Sequence, residues 1–304
     1  MITGQPAPEG PAAGPRRSAD RGQAPAGLGR RRQRISDAQT QERMLEAAVA
    51  MVTETGLTVS LEHISLEDVI HRAGVSRSAV YRRWPYKDLF FSDLLKRLAA
   101  GASPAIGGTN PAAVAAINET VLAHLDWLKT PKLRRALAAE VLRRAALGEF
   151  ETFHASPEWR TYYALQATFL SLPDGELRRE VADALIGSER ILMTGVARAY
   201  AEMAKLLGLR IRPDLDITFD TIARMASATT RGMVLMAPAN PDIASERFQA
   251  NPFGAPEAAE WSEPALSMAG VALSCLEPDP SFRWTDDRAA AVREALTTSA
   301  WASA

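Results

Sequence analysis

Basic side chains are concentrated in one short stretch of this 304-residue chain, and their types suit contacts with a polyanion. From Val69 to Lys87 there is no carboxylate, and the basic residues are Arg72, Arg77, Arg82, Arg83 and Lys87. Arginine can hold guanine through two parallel hydrogen bonds, and arginine and lysine both contact phosphates. Because the whole chain has a formal net charge of −1, any contact with a nucleic acid must be local to this stretch.

The residues around the basic stretch predict a helix, a tight turn and a second short helix. Ser65 is placed to cap the first helix, and Gly74 can adopt the left-handed conformation that ends it. Ser76 is placed to cap the second helix, on which Val80 and Trp84 form the buried side. A helix of this size fits the major groove of DNA, with its N-terminal residues nearest the bases.

A longer helix is predicted before this pair, starting at a capping box that begins with Ser36. Its apolar stripe runs towards Gly56 and consists of Leu45, Ala48, Val49 and Val52. Three helices with one shared core and one cationic face predict a small DNA-binding domain. The interpretation requires the arginine side chains to face solvent and to remain unpaired with acidic neighbours. An arginine-bearing amphipathic helix is, by itself, most often only a solvated face.

Residues 38–97 resemble the DNA-binding domain of the tetracycline-repressor-like (TetR) family of bacterial regulators. The matching pieces are Leu45–Ala48 before Gly56, Arg72–Ser76, Val80–Trp84 and Lys87. The resemblance implies an all-α homodimer, with an N-terminal three-helix helix-turn-helix domain and a C-terminal helical domain for ligand binding and dimerisation. It also implies binding to a palindromic double-stranded DNA operator and release by a small-molecule effector.

When the roles of family residues are carried over position by position, the resemblance implies that Tyr81 and Lys87 contact phosphates of the DNA backbone. Arg77, Ser78 and Arg83 fall where family members contact bases, and Arg82 could serve either role. The predicted DNA-binding residues are Ser76, Arg77, Ser78, Tyr81, Arg82, Arg83 and Lys87.

Composition divides the chain into four predicted segments. Residues 1–35 carry seven arginines and are rich in Pro, Gly and Ala, which predicts a disordered basic arm, a passive tail or a start codon assigned too early. Residues 36–100 are the helix-turn-helix domain, ending in a helix over about 86–100 that links it to the rest. Residues 101–237 are, by the resemblance, the ligand-binding and dimerisation domain, in which Thr130 and Ser156, each followed by proline, and Asp216 are placed to cap helices. Residues 238–304 are a proline-rich linker and two further helices, over 264–276 and 286–301.

Large aromatic residues in the second domain can line a cavity and orient a ligand through their polar tips. The resemblance implies a pocket among the middle helices, so these residues are the candidate ligand-binding site. Ordinary core packing is the alternative for each of them. The candidates are His124, Trp127, Phe150, Phe153, Trp159, Tyr162, Tyr163 and Phe169.

Small and apolar residues line two long helices, and small residues let two backbones approach closely. The resemblance implies that the last two helices of the core form a four-helix bundle with those of the partner, which places the predicted dimer interface on them. Packing within one chain is the alternative. The candidates are Ala184, Ser188, Ile191, Gly195, Ala199, Ile222, Ala226 and Met233. The segment after Ala237 could cover the pocket, extend the dimer contact or be loosely attached.

Other classes of protein fit the sequence less well. The four histidines have no metal-binding spacing, and neither a phosphate-binding glycine loop nor a nucleophile elbow is present, so we expect neither an enzyme nor a cofactor. Cys275 is the only cysteine, which fits the cytoplasm, and no apolar run reaches the length of a membrane span. We expect no convincing strand after Pro85, and a solvated face formed by Arg134, Arg135, Arg143 and Arg144. A repressor is the leading prediction, and an activator or architectural protein of the same fold is the alternative.

Overall fold

The computed structural model describes residues 35–56, 64–101 and 111–303, and the chain is predominantly helical, as predicted. The predicted basic arm, residues 1–35, lies almost wholly outside the described residues. The helices are α1 Asp37–Thr55, α2 Leu66–Ala73, α3 Arg77–Arg83, α4 Lys87–Ala100, α5 Pro111–Ala123, a 3₁₀ helix Leu125–Lys129, α6 Pro131–Ala155, α7 Pro157–Ser171, α8 Glu176–Leu207, α9 Phe219–Met236, α10 Asp242–Ser245, α11 Glu263–Ser274, α12 Asp286–Thr297 and α13 Ala300–Ser303.

The caps predicted for α2 and α3 are confirmed. The Ser65 hydroxyl accepts a hydrogen bond from the Asp68 amide at 3.3 Å, and Ser76 accepts one from the Ala79 amide at the same distance. Gly74 ends α2 with a φ of 64°, in the left-handed region that glycine adopts without a steric penalty. These short-range hydrogen bonds set the turn between α2 and α3.

The first four helices share one core. α1 packs against α2, α3 and α4, and its stripe residues Leu45, Ala48 and Val52 are buried. Val80 and Trp84 are 0% and 1% exposed, as predicted for the inner side of α3. α3 is therefore held from behind, and its remaining side chains point outwards.

The middle helices begin where the sequence predicts. Thr130 caps α6 by accepting from the Leu133 amide at 3.4 Å, and Ser156 caps α7 by accepting from the Trp159 amide at 3.3 Å. Proline follows each cap, where its missing N–H costs nothing. The cap expected at Asp216 is wrong, since α9 begins at Phe219 with Thr218 in the N-cap position.

Four short strands follow α8, so the expectation of no strand after Pro85 is wrong. β1 Leu209–Ile211 pairs antiparallel with β4 Leu276–Pro278, and β2 Phe248–Ala250 pairs antiparallel with β3 Ala259–Trp261. Each strand has three residues, which is too short for an alternating pattern to be visible in the sequence.

The segment after Ala237 is an integral part of the fold. α11 packs against α6 and α9, and its residues Met268, Ala269 and Leu273 are buried. Gly208 ends α8 with a φ of 67°, and a Cβ there would lie 2.5 Å from the ring of Phe282. The sequence left open whether this segment covers the pocket, extends the dimer contact or is loosely attached, and loose attachment is wrong.

The expectation that four arginines of α6 form a solvated face is wrong for three of them. Arg135 donates to the carbonyls of Leu273 and Leu276 at 2.9 Å. It thereby supplies a donor to acceptors at and just after the C-terminal end of α11, where a helix leaves carbonyls without partners. Arg134 is buried and donates to the carbonyls of Gly208 and Asp279, and Arg143 donates to the carbonyl of Glu260. Only Arg144 is exposed. These arginines attach the C-terminal segment to α6.

The hydrophobic residues form two clusters that do not follow the predicted boundary at residue 100. The first joins the core of α1–α4 to α7 and to parts of α6, α8 and α9. The second lies among α5, α6, α9, α11 and α12 and the C-terminal ends of α8 and the chain. Residues from Asp37 onwards accordingly form one compact unit. Within the described ranges, no helix is both long and apolar enough to cross a membrane.

Candidate DNA-binding surface and internal cavity

The predicted recognition residues of α3 lie on its outer side. Ser76, Arg77, Ser78, Arg82 and Arg83 are exposed, and Lys87 is exposed at the start of α4. Tyr81 is 46% exposed. All seven predicted residues are therefore accessible to solvent, and we call them together the α3 surface.

Carboxylates of neighbouring helices pair with the arginines of this surface, so the expectation of unpaired arginines is wrong. Arg77 forms an ion pair of 2.6 Å with Glu67 of α2, and Arg82 pairs with Asp37 of α1. Arg83 donates to the side chain of Gln41 at 3.2 Å. The stretch from Val69 to Lys87 lacks acids along the chain, but pairing is decided by distance in space.

Glu67 also accepts a hydrogen bond of 3.1 Å from the hydroxyl of Tyr81. This bond raises the pKa of the phenol, because ionised tyrosine could not donate it. Arg72, the first basic residue of the stretch, pairs with Glu54 of α1. The α3 surface is thus accessible but partly neutralised.

Asp93 of α4 braces α3 from its buried side. It accepts a hydrogen bond of 2.9 Å from the indole nitrogen of Trp84 and lies 3.5 Å from Arg83 and 3.0 Å from Lys96. Burial opposes ionisation of Asp93, but the hydrogen bonds from Trp84 and Lys96 outweigh it, and the pKa of the carboxyl is lowered. Lys96 also reaches Glu180 of α8 at 3.1 Å. A continuous set of charged contacts therefore runs from α3 through α4 to α8.

Most of the predicted ligand-binding rings fill the first hydrophobic cluster. Phe150, Phe153, Trp159 and Tyr162 are buried there, with the rings of Phe153 and Trp159 stacked 3.7 Å apart. Tyr163 and Phe169 pack against the same cluster, whereas Trp127 packs against the second. His124 contacts Trp127 with the ring centroids 4.4 Å apart and the rings tilted by 60°.

Arg231 of α9 joins the polar tips of this ring cluster. It donates to Glu189 at 2.9 Å and to the hydroxyl of Tyr162 at 3.0 Å, and Tyr162 donates to Glu189 at 2.8 Å. Burial raises the pKa of the Tyr162 phenol to about 12. Sequence patterns gave no signal for Arg231 or Glu189, because their contact joins residues 42 apart on different helices.

A cavity of about 440 Å³ lies elsewhere, among α5, α6, α8, α9, α11 and α13. None of the eight predicted ligand-binding residues lines it, so the sequence-based choice of wall residues does not match the cavity. Its wall is mostly aliphatic, and includes Ile117, Val141, Leu192, Met203 and Ile222. The C-terminal segment closes one side through Met268, Ala272 and Trp301, so covering the pocket is one role of this segment.

A buried polar contact holds the last helix against the cavity. The indole nitrogen of Trp301 donates to the side-chain carbonyl of Asn118 at 2.7 Å, and the Asn118 amide donates to the Leu296 carbonyl at 2.8 Å. Ser299, between α12 and α13, has a φ of 53°, which is uncommon for a residue with a side chain. Trp301 is thereby fixed with 6% of its surface exposed.

Two charged side chains, Glu149 and Arg198, are on the cavity wall. Arg198 is exposed, whereas Glu149 is half-buried and faces the cavity. Burial raises the pKa of the Glu149 carboxyl to about 7, and the charge of Arg231 opposes that rise. A signal for Glu149 was present in the sequence: it follows Val141 and Ala145 at four-residue intervals, which places an acid on the apolar stripe of α6.

Several residues predicted at a dimer interface lie inside the chain's own core. Ser188, Ile222 and Ala226 are 5%, 1% and 1% exposed, so their assignment to an intermolecular interface is wrong. Ala184, Ala199 and Met233 are half-buried. Gly195 is exposed, and Ile191 is 73% exposed. α8 and α9 pack on each other within one chain and still leave apolar side chains uncovered, including Ile186, Met225, Leu235 and Met236.

A scan against protein-family models and searches of curated proteins and of solved structures found no match to this chain. The resemblance to the TetR family therefore rests on the motif residues alone and stays a prediction.

Proposed function

We propose that this protein is a DNA-binding transcriptional regulator of the TetR type, and not an enzyme. In this proposal it acts in the cytoplasm as a homodimer on a palindromic operator, and a small molecule in the cavity releases it. A repressor is the simplest such regulator, although the position of the operator relative to a promoter would decide between repression and activation.

The observation that carries the proposal is the arrangement of α2 and α3. α3 is held from behind by Val80 and Trp84 and presents Arg77, Tyr81 and Arg83 outwards, next to Lys87. A helix so presented can enter the major groove, with positive side chains close to both bases and phosphates.

The requirement that the arginines be unpaired is too strict, because the ion pairs of the α3 surface are exposed and can exchange their partners. The side chains of Arg77 and Glu67 are 73% and 44% exposed, and those of Arg82 and Asp37 are 53% and 62% exposed. Pairs of this kind contribute roughly 0–1 kcal/mol each, so a phosphate can replace the carboxylate at low cost. The displaced carboxylates would still lower the affinity, since they stay near the DNA.

The contact between α4 and α8 supplies a route from the cavity to the α3 surface. α8 lines the cavity from Ile191 to Leu207, and its first part packs against α4 and bears Glu180, the partner of Lys96. A ligand that favoured one position of α8 would therefore also favour one position of α4 and α3.

A titration of DNA binding against salt tests the proposal. We expect the logarithm of the association constant for a duplex to fall linearly with the logarithm of salt concentration, because bound phosphates release counterions. Lys87→Ala should weaken binding to all sequences alike and reduce that slope by about 1. Lys129→Ala, which removes an exposed lysine far along the chain, is the control. Absence of binding at low salt would reject the proposal.

A further inference from the structure

From the walls of the cavity we infer that its ligand is a largely apolar molecule with one positively charged amine, and that Glu149 is the counter-ion of that amine. The inference rests on the proposed function in one respect, which is that this ligand would be the effector of a regulator. Binding of the ligand to the cavity does not itself require DNA.

The size and lining of the cavity define the apolar part of the ligand. A volume of about 440 Å³ lies within the range of small-molecule sites, about 300–1,000 Å³. The aliphatic wall offers few hydrogen bonds, and within the described residues the hydroxyl of Tyr200 is engaged only by a long contact of 3.8 Å to the sulfur of Met268. A flexible or flat hydrocarbon body would bury its surface there without leaving polar groups unpaired.

Glu149 defines the charged part. In the described ranges no hydrogen bond or ion pair holds its carboxyl, and the cavity is the open space in front of it. A half-buried carboxylate without a partner is unusual on a mostly apolar wall, and on a ligand cavity it favours a ligand that supplies the cation. A ligand carboxylate in the same position would be repelled by Glu149.

The groups around Glu149 do not supply that cation directly. Arg231 of α9 acts on it electrostatically, but its guanidinium pairs with Glu189 and is not on the cavity wall. The phenols of Tyr163 on α7 and Tyr200 on α8 are neutral, since burial raises the pKa of each. Arg198 of α8 is the other charge on the wall, and its exposure lets solvent screen it.

The charge state of Glu149 gives the inference a pH signature. With a pKa of about 7, the carboxyl is about one-tenth ionised at pH 6 and about nine-tenths ionised at pH 8. An alkylamine stays protonated throughout this range. Affinity for the amine should therefore rise about tenfold from pH 6 to pH 8.

Calorimetric titration of the full chain with decylamine, decanol and decanoate, each kept below its self-association concentration, tests the inference. At pH 8 we expect the amine to bind at least about tenfold more tightly than the alcohol, and decanoate to bind most weakly. Glu149→Gln should abolish the preference and the pH dependence but keep decanol binding, which shows that the cavity is intact. Glu151→Gln, an exposed carboxylate of the same helix, is the control and should behave as the wild type.

Equal binding of amine and alcohol, or an affinity for the amine that is the same at pH 6 and pH 8, would overturn the inference. If Glu149→Gln does not fold, the ranking of amine, alcohol and carboxylate by the wild type decides the matter. Loss of the amine preference in a protein that still binds DNA would refute the ligand class and leave the regulator intact. Amine binding by a protein that binds no DNA would refute the regulator and leave the ligand class intact.

Discussion

Glu67 is the residue that most directly limits the positive charge of the α3 surface, because it forms an ion pair with Arg77 and accepts a hydrogen bond from Tyr81. We expect Glu67→Gln to tighten DNA binding severalfold, since it releases an arginine and removes a negative charge next to the phosphates. Fluorescence anisotropy with a labelled duplex measures the change. Glu158→Gln, an exposed acid at the start of α7, is the matched control and should leave the affinity unchanged. Unchanged or weaker binding by Glu67→Gln would mean that Arg77 serves to pair with Glu67 and does not contact DNA.

Arg77 and Arg83 are expected to specify sequence, whereas Lys87 is expected only to strengthen binding. Arg77→Ala and Arg83→Ala should each cost about 1–3 kcal/mol with the preferred operator and relax base preference at one position. Arg160→Ala, which removes an exposed arginine of α7, should have no effect. Competition between operator variants measures the preference. A uniform loss across all sequences would assign both arginines to phosphates.

Glu149 also makes the stability of the protein depend on pH. Its pKa is about 7 in the folded chain against an ordinary value of 4.5, so the folded state holds the proton more tightly. Stability should therefore fall as pH rises from about 4.5 to 7 and stay lowered above that. We expect Glu149→Gln to raise the free energy of unfolding by about 1–3 kcal/mol at pH 8 and not at pH 4. Urea denaturation at both pH values measures the difference, and Glu151→Gln should change neither. A Glu149→Gln protein less stable than the wild type at pH 8 would contradict this account.

At the scale of elements, arginines of α6 hold the C-terminal segment in place. We expect Arg135→Met to lower the free energy of unfolding by about 1–3 kcal/mol, because it leaves two carbonyls at the end of α11 without their donor. Arg144→Met is the matched control on the same helix, since Arg144 is exposed. Equal stabilities of the two variants in urea denaturation would mean that α11 needs no such attachment.

Elements governed by local chemistry could be predicted from the sequence. Ser65, Gly74 and Ser76 set the α2–α3 turn through hydrogen bonds to residues two to four positions away in the chain. α6 and α7 each begin at a capping residue that is followed by proline. Features that join distant parts of the chain could not. β1 pairs with β4 across more than sixty residues, and the cavity exists only because α11 and α13 close over α5, α6 and α8.

The same distinction applies to the candidate site. Exposure of the α3 side chains followed from helix periodicity, but their pairing with Asp37 and Glu67 did not, because those acids come from other helices. The aromatic residues were an ambiguous signal, since large rings fill cores as readily as they line cavities. In this fold four of the eight are buried in the core, and the cavity is lined by aliphatic residues instead.

At the scale of the whole molecule, a homodimer would cover the apolar side chains that α8 and α9 leave exposed. We expect Ile191→Glu to convert the proposed dimer to a monomer, because a charge would be buried at the proposed interface. Leu170→Glu is a matched control on α7, since Leu170 is 75% exposed and Ile191 is 73% exposed. Sedimentation equilibrium measures the mass of both variants. A monomeric wild type would show that there is no such interface. A dimer that persists in Ile191→Glu would show that the interface lies elsewhere.

Selection of duplexes from a random library by the purified full-length protein tests the central claim most directly. The account predicts enrichment of a palindrome whose half-sites lie about 34 Å apart, or a further whole turn of DNA apart, with Arg77→Ala relaxing a defined base in each half. A selected pool indistinguishable from the starting library at low salt would contradict it.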